Sequence, residues 1–366
     1  MNNEIEILNL HDKPKKPKKE EKQKKKRKVR LWVYFLAFFV ICASSFAVLL
    51  YGPWHTFRNW LITTAMTTMN HQYLATWFYD DKTIEKVLSQ NYVKETGEET
   101  DSSLVQFVDY TTSNQMFLNK YDKEILTKDK DNDNYKLIHI NEAKQRGYLV
   151  AVYDPSKVKV AVSKNLGKSG QMLTTIAKDN NALVAMNASG FVDPNYMSNG
   201  GMPHGPVIKD GKLVSNQARV GIQGGIIGFN KNNTLILSKM SGQEAINKGI
   251  RDAVDFGPFL IVNGKPAFIK GNGGWGTAPR SAIGQRKDGI VLFLVMDGRD
   301  YANGISGSDM VDITEILLRY GAYNAANLDG GTSSGLVINN ELISKPVNGS
   351  GQKQTRAIPD AWIVTK

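Results

Sequence analysis

One stretch of the chain has no polar rhythm at all. Leu31–Tyr51 (LWVYFLAFFVICASSFAVLLY) runs 21 residues without a charge. At about 1.5 Å rise per residue, a helix of that length crosses a hydrocarbon core of about 30 Å. A helix buried in a soluble core would show polar positions on some face, and this run offers only Ser44 and Ser45. Beyond it, Trp60, Leu61, Ala65, Met69, Leu74, Trp77 and Phe78 recur at helical spacing, which predicts a helical stalk over residues 54–92. The polar segment 93–103 (VKETGEETDSS) predicts a linker.

From about Tyr135 the pattern tightens. Residues 147–154 and 158–163 read as strands, 169–180 as a helix and 182–186 as a buried strand. Asp210-Gly211, Asn263-Gly264, Asp288-Gly289 and Asn339-Asn340 each divide two apolar runs, the signature of hairpins with primed turns. Ser241 and Glu244 form a capping box for a short helix that ends at Gly249. Asp309 caps a helix over 310–320, whose Ile313, Ile316, Leu317 and Tyr320 share one face before Gly321 stops it. Hairpins with interspersed helices predict an α+β domain.

Charge adds an orientation. The net +11 is concentrated in residues 1–30, which hold twelve Lys/Arg and five Asp/Glu. The remainder is nearly neutral, which excludes a nucleic-acid surface. The basic run 13–30 lies directly before the apolar run, and positive flanks stay cytoplasmic. The expectation is an uncleaved single-pass anchor with residues 52–366 outside the cell membrane. The basic tail would also meet anionic lipid. A cleavable signal is the weaker reading, because both its apolar and basic parts would be too long. The one cysteine, Cys42, sits inside the apolar run, so disulfides and cysteine-built zinc sites are excluded. A cysteine-free exterior suits a Gram-positive bacterium. The predicted order is a tail (1–30), a transmembrane helix (31–51), a stalk and linker (52–134) and a catalytic domain (135–366).

Candidate chemistry gathers in two segments, 290–300 (IVLFLVMDGRD) and 323–334 (YNAANLDGGTSS). Each is an apolar strand that ends in Asp-Gly, and the helix 310–320 lies between them. This reads as a β-α-β unit in a mixed sheet, with parallel strands and both aspartates at the ligand-binding edge. Strands about 4.8 Å apart would put the carboxylates of Asp297 and Asp329 roughly 5–10 Å from each other, a glycosyl-transfer spacing. Two turn aspartates that merely cap loops are the plainer alternative.

Three motifs fail on context. Residues 331–335 (GTSSG) match a nucleophile elbow, but a hairpin follows and no histidine lies downstream. Residues 271–276 (GNGGWG) match GxGxxG, but Pro279 and a strand follow where a dinucleotide site needs a helix. That loop reads as a turn able to carry Trp275 over a sugar. Asp129 to Tyr135 (DKDNDNY) imitates a calcium loop but has Asn134 and Ile140 where glycine and glutamate are needed. It reads as a solvated turn.

Five blocks occur in order: 187–191 (NASGF), 203–205 (PHG), 278–284 (APRSAIG), 295–299 (VMDGR) and 327–334 (NLDGGTSS). Together they resemble the phosphodiester glycosidase family, over roughly residues 135–366. The resemblance implies hydrolysis of a sugar from a sugar-1-phosphodiester at a cell-surface or exported polysaccharide. It implies catalytic roles for Asp297, Asp329 and Asn187, with the choice of base left open. Arg280 and Arg299 would grip the phosphate, and Gly330, Ser333 and His204 would complete the substrate site. No cofactor is expected, and a calcium ion shared by Asp297, Asp300 and Asp329 is the alternative. The chain departs from the family where NASGF replaces an Asn-Gly-Gly pattern and Thr332 replaces a glycine. A sugar-phosphate transferase and a non-catalytic glycan-binding module remain as alternative functions.

Overall fold

The computed structural model describes residues 19–67, 71–108, 117–142, 145–193, 198–219, 221, 223–347 and 355–366. Most of the basic tail and Met69 of the expected stalk lie outside the described residues. The chain forms two compact units, Met1–Arg58 and Asn59–Lys366.

The first unit is built on α1 (Lys19–Tyr51). Its Leu31–Tyr51 part is long and apolar enough to cross a membrane and is almost wholly exposed along its length. Trp32, Phe35, Phe39 and Ile41 all face outward. The helix stops at Gly52-Pro53, where proline withdraws a backbone donor.

The second unit starts within α2 (His55–Thr67) and continues with α3 (Tyr73–Thr76), α4 (Asp81–Ser89), β1 (Tyr92–Lys94) and α5 (Lys120–Leu126). Next come β2 (Tyr135–Glu142), β3 (Gln145–Val152), β4 (Val158–Val162), α6 (Leu173–Asp179) and β5 (Val184–Asn187). The middle of the chain supplies β6 (Pro206–Lys209), β7 (Lys212–Asn216), β8 (Gly225–Asn230), β9 (Leu235–Ser238), α7 (Gly242–Asn247) and β10 (Ile250–Phe256). Then follow β11 (Phe259–Val262), β12 (Lys265–Pro266), β13 (Phe268–Lys270), β14 (Arg280–Arg286), β15 (Val291–Met296), α8 (Met310–Arg319) and β16 (Ala322–Asn327). The hairpin β17 (Leu336–Ile338) and β18 (Glu341–Leu342) precedes β19 (Asp360–Val364).

Three larger sheets hold these strands: β12-β11-β16-β14-β15-β3-β2, β7-β6-β10-β8-β9 and β18-β17-β5-β19-β4. Val150, Ile283, Phe293, Met186, Phe229 and Trp362 form one core shared by all three sheets. The other face of the seven-stranded sheet packs Leu292, Leu294 and Ala282 against Ile313, Ile316 and Leu317 of α8. Strand β15 is buried on both faces, which explains its unbroken apolar run.

The predicted unit β15-α8-β16 exists as an α+β element, with one correction. Both strands run antiparallel to β14, so they are parallel to each other, but β14 lies between them. The tight β14–β15 turn puts β14 beside β15, and β16 adds to the far side of β14. The two strand ends are therefore two strand spacings apart, about 10 Å.

Local signals fared well. Asp210-Gly211, Asn263-Gly264 and Asn339-Asn340 have positive φ at both central residues, as a type I′ turn requires. Asp288-Gly289 differs, because only Gly289 has positive φ and the connection between β14 and β15 is longer. The capping box at Ser241 forms, and the Asp309 cap is completed into a second box by Asp312.

The expected linker is instead woven into the sheets. Strand β1 pairs with β13. Glu95 accepts from the backbone N–H groups of Gly224 (2.6 Å) and Phe259 (2.8 Å), and Ser238 donates to Glu99 at 2.6 Å. Glu95 is largely buried, whereas Glu98, Glu99 and Asp101 keep one side in solvent; from there they satisfy backbone and hydroxyl donors left over at strand ends.

Candidate active site

Arg280, Asp297 and Asp329 do reach one sheet edge. Arg280 opens β14 opposite Met296, and Leu328 donates its N–H to the Ser281 carbonyl. Asp297 and Asp329 follow at once. Their carboxylates meet different partners.

Asp297 is committed to structure. Its Oδ2 accepts from Arg146 Nε at 2.8 Å and its Oδ1 from the Lys345 N–H at 2.7 Å. Arg146 also donates to Asp300 at 2.9 Å. Asp297 thus pairs with Arg146, a guanidinium that no motif singled out. Of the three ligands of the calcium alternative, Asp297 and Asp300 both accept from Arg146. Among the described residues no group of three His, Cys, Asp or Glu could hold a metal ion.

Asp329 has no ion pair among the described residues. Burial raises its carboxyl to about 6, against the opposing pull of Ser333, the Gly330 N–H, Arg356 and Arg280. Its main chain is pinned on both sides: its N–H donates to the Ala188 carbonyl at 3.1 Å, and its carbonyl accepts from Asn187 Nδ2 at 2.7 Å. Asn187 Oδ1 in turn accepts from Ser281 Oγ (2.7 Å) and the Gly335 N–H (3.0 Å). Asn187 therefore clamps the Asp329 loop. Ser333 is likewise a support for the Asp329 carboxylate.

Two guanidinium groups border the next two residues. Arg280 is buried, donating to the carbonyls of Ser308 (3.2 Å), Gly276 (2.8 Å) and Trp275. Desolvation, reinforced by Arg299, lowers it to about 10. A Cβ on Gly330 would lie 3.2 Å from Arg280 Nη1, and one on Gly331 would lie 3.3 Å from Arg299 Nη2. Glycine lets the backbone pass between the two cations. Arg299 adopts φ +59, left-handed for a non-glycine residue; such strain gathers at functional sites. Its N–H bond to the Ser306 carbonyl holds that turn. Neither arginine has an acidic partner within 4 Å among the described residues. Two desolvated cations side by side are costly alone and are relieved by a dianion or monoanion with several oxygens.

The remaining sequence candidate, His204, is half-buried beside Gly190, and desolvation lowers its pKa. Three contributors were missed. Arg146 has been described. Arg356, which pairs with Asp193 at 2.7 Å, adds positive potential at Asp329. Asp360 opens β19 fully buried, accepting from the Ser189 N–H (2.8 Å) and Oγ (2.6 Å). Burial, and to a lesser degree Asp329, raises it to about 6. The peptide from Ala188 to Ser189 thus holds Asp329 by its carbonyl and Asp360 by its N–H. An aspartate at the head of a wholly apolar strand (DAWIV) was the available signal.

The chain is similar to known proteins of one family. The family model for phosphodiester glycosidase matches residues 180–365. The SPbeta prophage-derived uncharacterized protein YomE of Bacillus subtilis is 30% identical over 222 residues, covering 58% of this chain and 32% of that protein. The N-acetylglucosamine-1-phosphodiester alpha-N-acetylglucosaminidase of Bos taurus is 26% identical over 159 residues, covering 39% of this chain and 29% of that enzyme. The chain thus spans about a third of the length of these curated relatives. The solved catalytic domain of the zebrafish enzyme of that name has the same fold, with a TM-score of 0.52, 24% identity, and coverage of 64% of this chain and 82% of that one. With 180–365 spanning just over half of its residues, this chain belongs to the phosphodiester glycosidase family.

Proposed function

We propose that the protein is a membrane-anchored hydrolase that cleaves the glycosyl–phosphate bond of a sugar-1-phosphodiester in a cell-surface or exported polysaccharide. The carrying observation is that Arg280 and Arg299, which have no acidic partner among the described residues, border Gly330-Gly331 next to the half-buried Asp329. A phosphodiester carries one negative charge and oxygens that match a guanidinium fork. Bound there, its sugar C1 would lie toward Asp329. The C1–O bond breaks and its electron pair leaves on the phosphate oxygen, giving a phosphomonoester. Water attacks C1, and its proton passes to Asp329, whose ionised form also stabilises the oxocarbenium-like transition state. The two arginines neutralise the charge that grows on the departing phosphate.

The test is an assay of the detergent-solubilised full chain on model sugar-1-phosphodiesters. Free sugar and phosphomonoester should appear in equal amounts. Binding without release would leave a glycan-binding module, and sugar phosphate transferred to an acceptor would indicate a transferase. The Leu31–Tyr51 helix supports anchoring, and the basic run before it supports a cytoplasmic N-terminus. Protease added to intact protoplasts should then remove the large unit. Its survival there would reverse the topology.

A further inference from the structure

We infer that Thr63 on the membrane-proximal helix α2, acting through Asn272 and the glycine loop 271–276, is a positioning residue for the phosphate-gripping Arg280. This rests on the phosphate role of Arg280 proposed above.

The linkage is continuous. Two of the three carbonyls that hold the Arg280 guanidinium, those of Trp275 and Gly276, belong to this loop. Gly271, Gly273, Gly274 and Gly276 all have left-handed φ, from +59 to +78. The loop is not a free flap over a sugar, as its composition suggests. A Cβ on Gly276 would lie 2.7 Å from Thr64 Cα, and one on Gly274 would lie 2.4 Å from the Asn91 carbonyl oxygen. Glycine is needed because the loop is pressed against α2 and the segment entering β1.

Hydrogen bonds fix it there. Asn272 Nδ2 donates to Thr63 Oγ1 at 2.5 Å, and the Asn272 N–H donates to Asn91 Oδ1 at 3.2 Å. Thr63 is fully buried and donates its own proton to the Asn59 carbonyl at 2.7 Å. Asn272 Oδ1 accepts from the Gly274 N–H at 3.0 Å, which sets the curl that delivers the next two carbonyls to Arg280. Thr63 and Asn91 both lie outside residues 180–365, so this part of the site comes from the segment next to the anchor.

The experiment compares Thr63→Val with Thr63→Ser and Asn272→Ala in the full chain. Thr63→Val keeps the volume and removes the hydroxyl. Its KM for a sugar-1-phosphodiester should rise about 10-fold with kcat within about 2-fold, the pattern of lost uniform binding. Thr63→Ser should restore KM, and Asn272→Ala should reproduce the rise. In an Arg280→Lys background, Thr63→Val should add little, since residues acting through one another are not additive. A folded Thr63→Val or Asn272→Ala protein with unchanged KM overturns the inference. So does full additivity with Arg280→Lys. If Arg280→Lys itself leaves KM unchanged, the phosphate role fails instead, and the two failures are told apart.

Discussion

Asp297 and Asp329 look alike in the sequence. Each ends an apolar strand, each precedes glycine, and both strands point the same way. In the fold they differ in what meets the carboxylate. Asp297 finds a guanidinium and a backbone N–H for its two oxygens. Asp329, half-buried, finds a serine and its neighbour's N–H, with cations near but not in contact. A paired carboxylate is spent on holding the chain together. An unpaired one that burial keeps near neutrality can take a proton. Position at the sheet edge made both plausible; partners decide between them.

The largest test of this contrast substitutes each aspartate by asparagine. Asp329→Asn should lower kcat by about 10²-fold or more with the fold intact. Asp297→Asn should leave the turnover of folded protein within a few-fold but lower stability by about 2 kcal/mol, since the half-buried Arg146 keeps only Asp300 as an ionic partner. Steady-state kinetics with thermal unfolding reads both, and the opposite outcome would return the chemistry to Asp297. Next in size, Arg280→Lys should raise KM for phosphodiesters about 10-fold, because the charge stays while the planar fork is lost. The subtlest test is pH. Turnover should rise as pH climbs through about 6, where Asp329 ionises. Asp360→Asn removes a like charge behind it and should move that limb to lower pH. The same raised carboxyls hold protons in the fold that the unfolded chain has already released. Their contribution to stability should therefore fall as pH rises from about 4 to about 6, and calorimetry across that window checks the sign.

Much of the fold was legible because it is local. Asn263-Gly264 and Asn339-Asn340 set turns whatever their surroundings, and Asp309 caps α8 with its own neighbours. The apolar run at 31–51 needed only its length to be read. What escaped was set by pairing across long stretches of chain. Nothing in β15 or β16 says that β14 will lie between them, and nothing near Asp297 announces Arg146. The polar segment after β1 misled for a related reason. Composition reports whether a residue wants a partner and cannot say whether water or a distant backbone will supply it. The site followed the same division: Arg280, Arg299, Asp329 and Gly330 came from motifs, while Asp360 and Arg356 needed the third dimension.

The woven segment also bears on how the molecule is made. Residues 92–108 leave the ribosome long before their partners in β13 and at Lys287 and Asp288 exist. Strand β19, produced after every other strand described, is inserted between β5 and β4, and it carries Asp360 to Ser189. Early synthesis therefore exposes sheet edges with nothing to pair, a period in which a chaperone would matter most. Until β19 arrives, β5 and β4 have no strand between them and Ser189 lacks Asp360, so a chain cut short before it should be unstable.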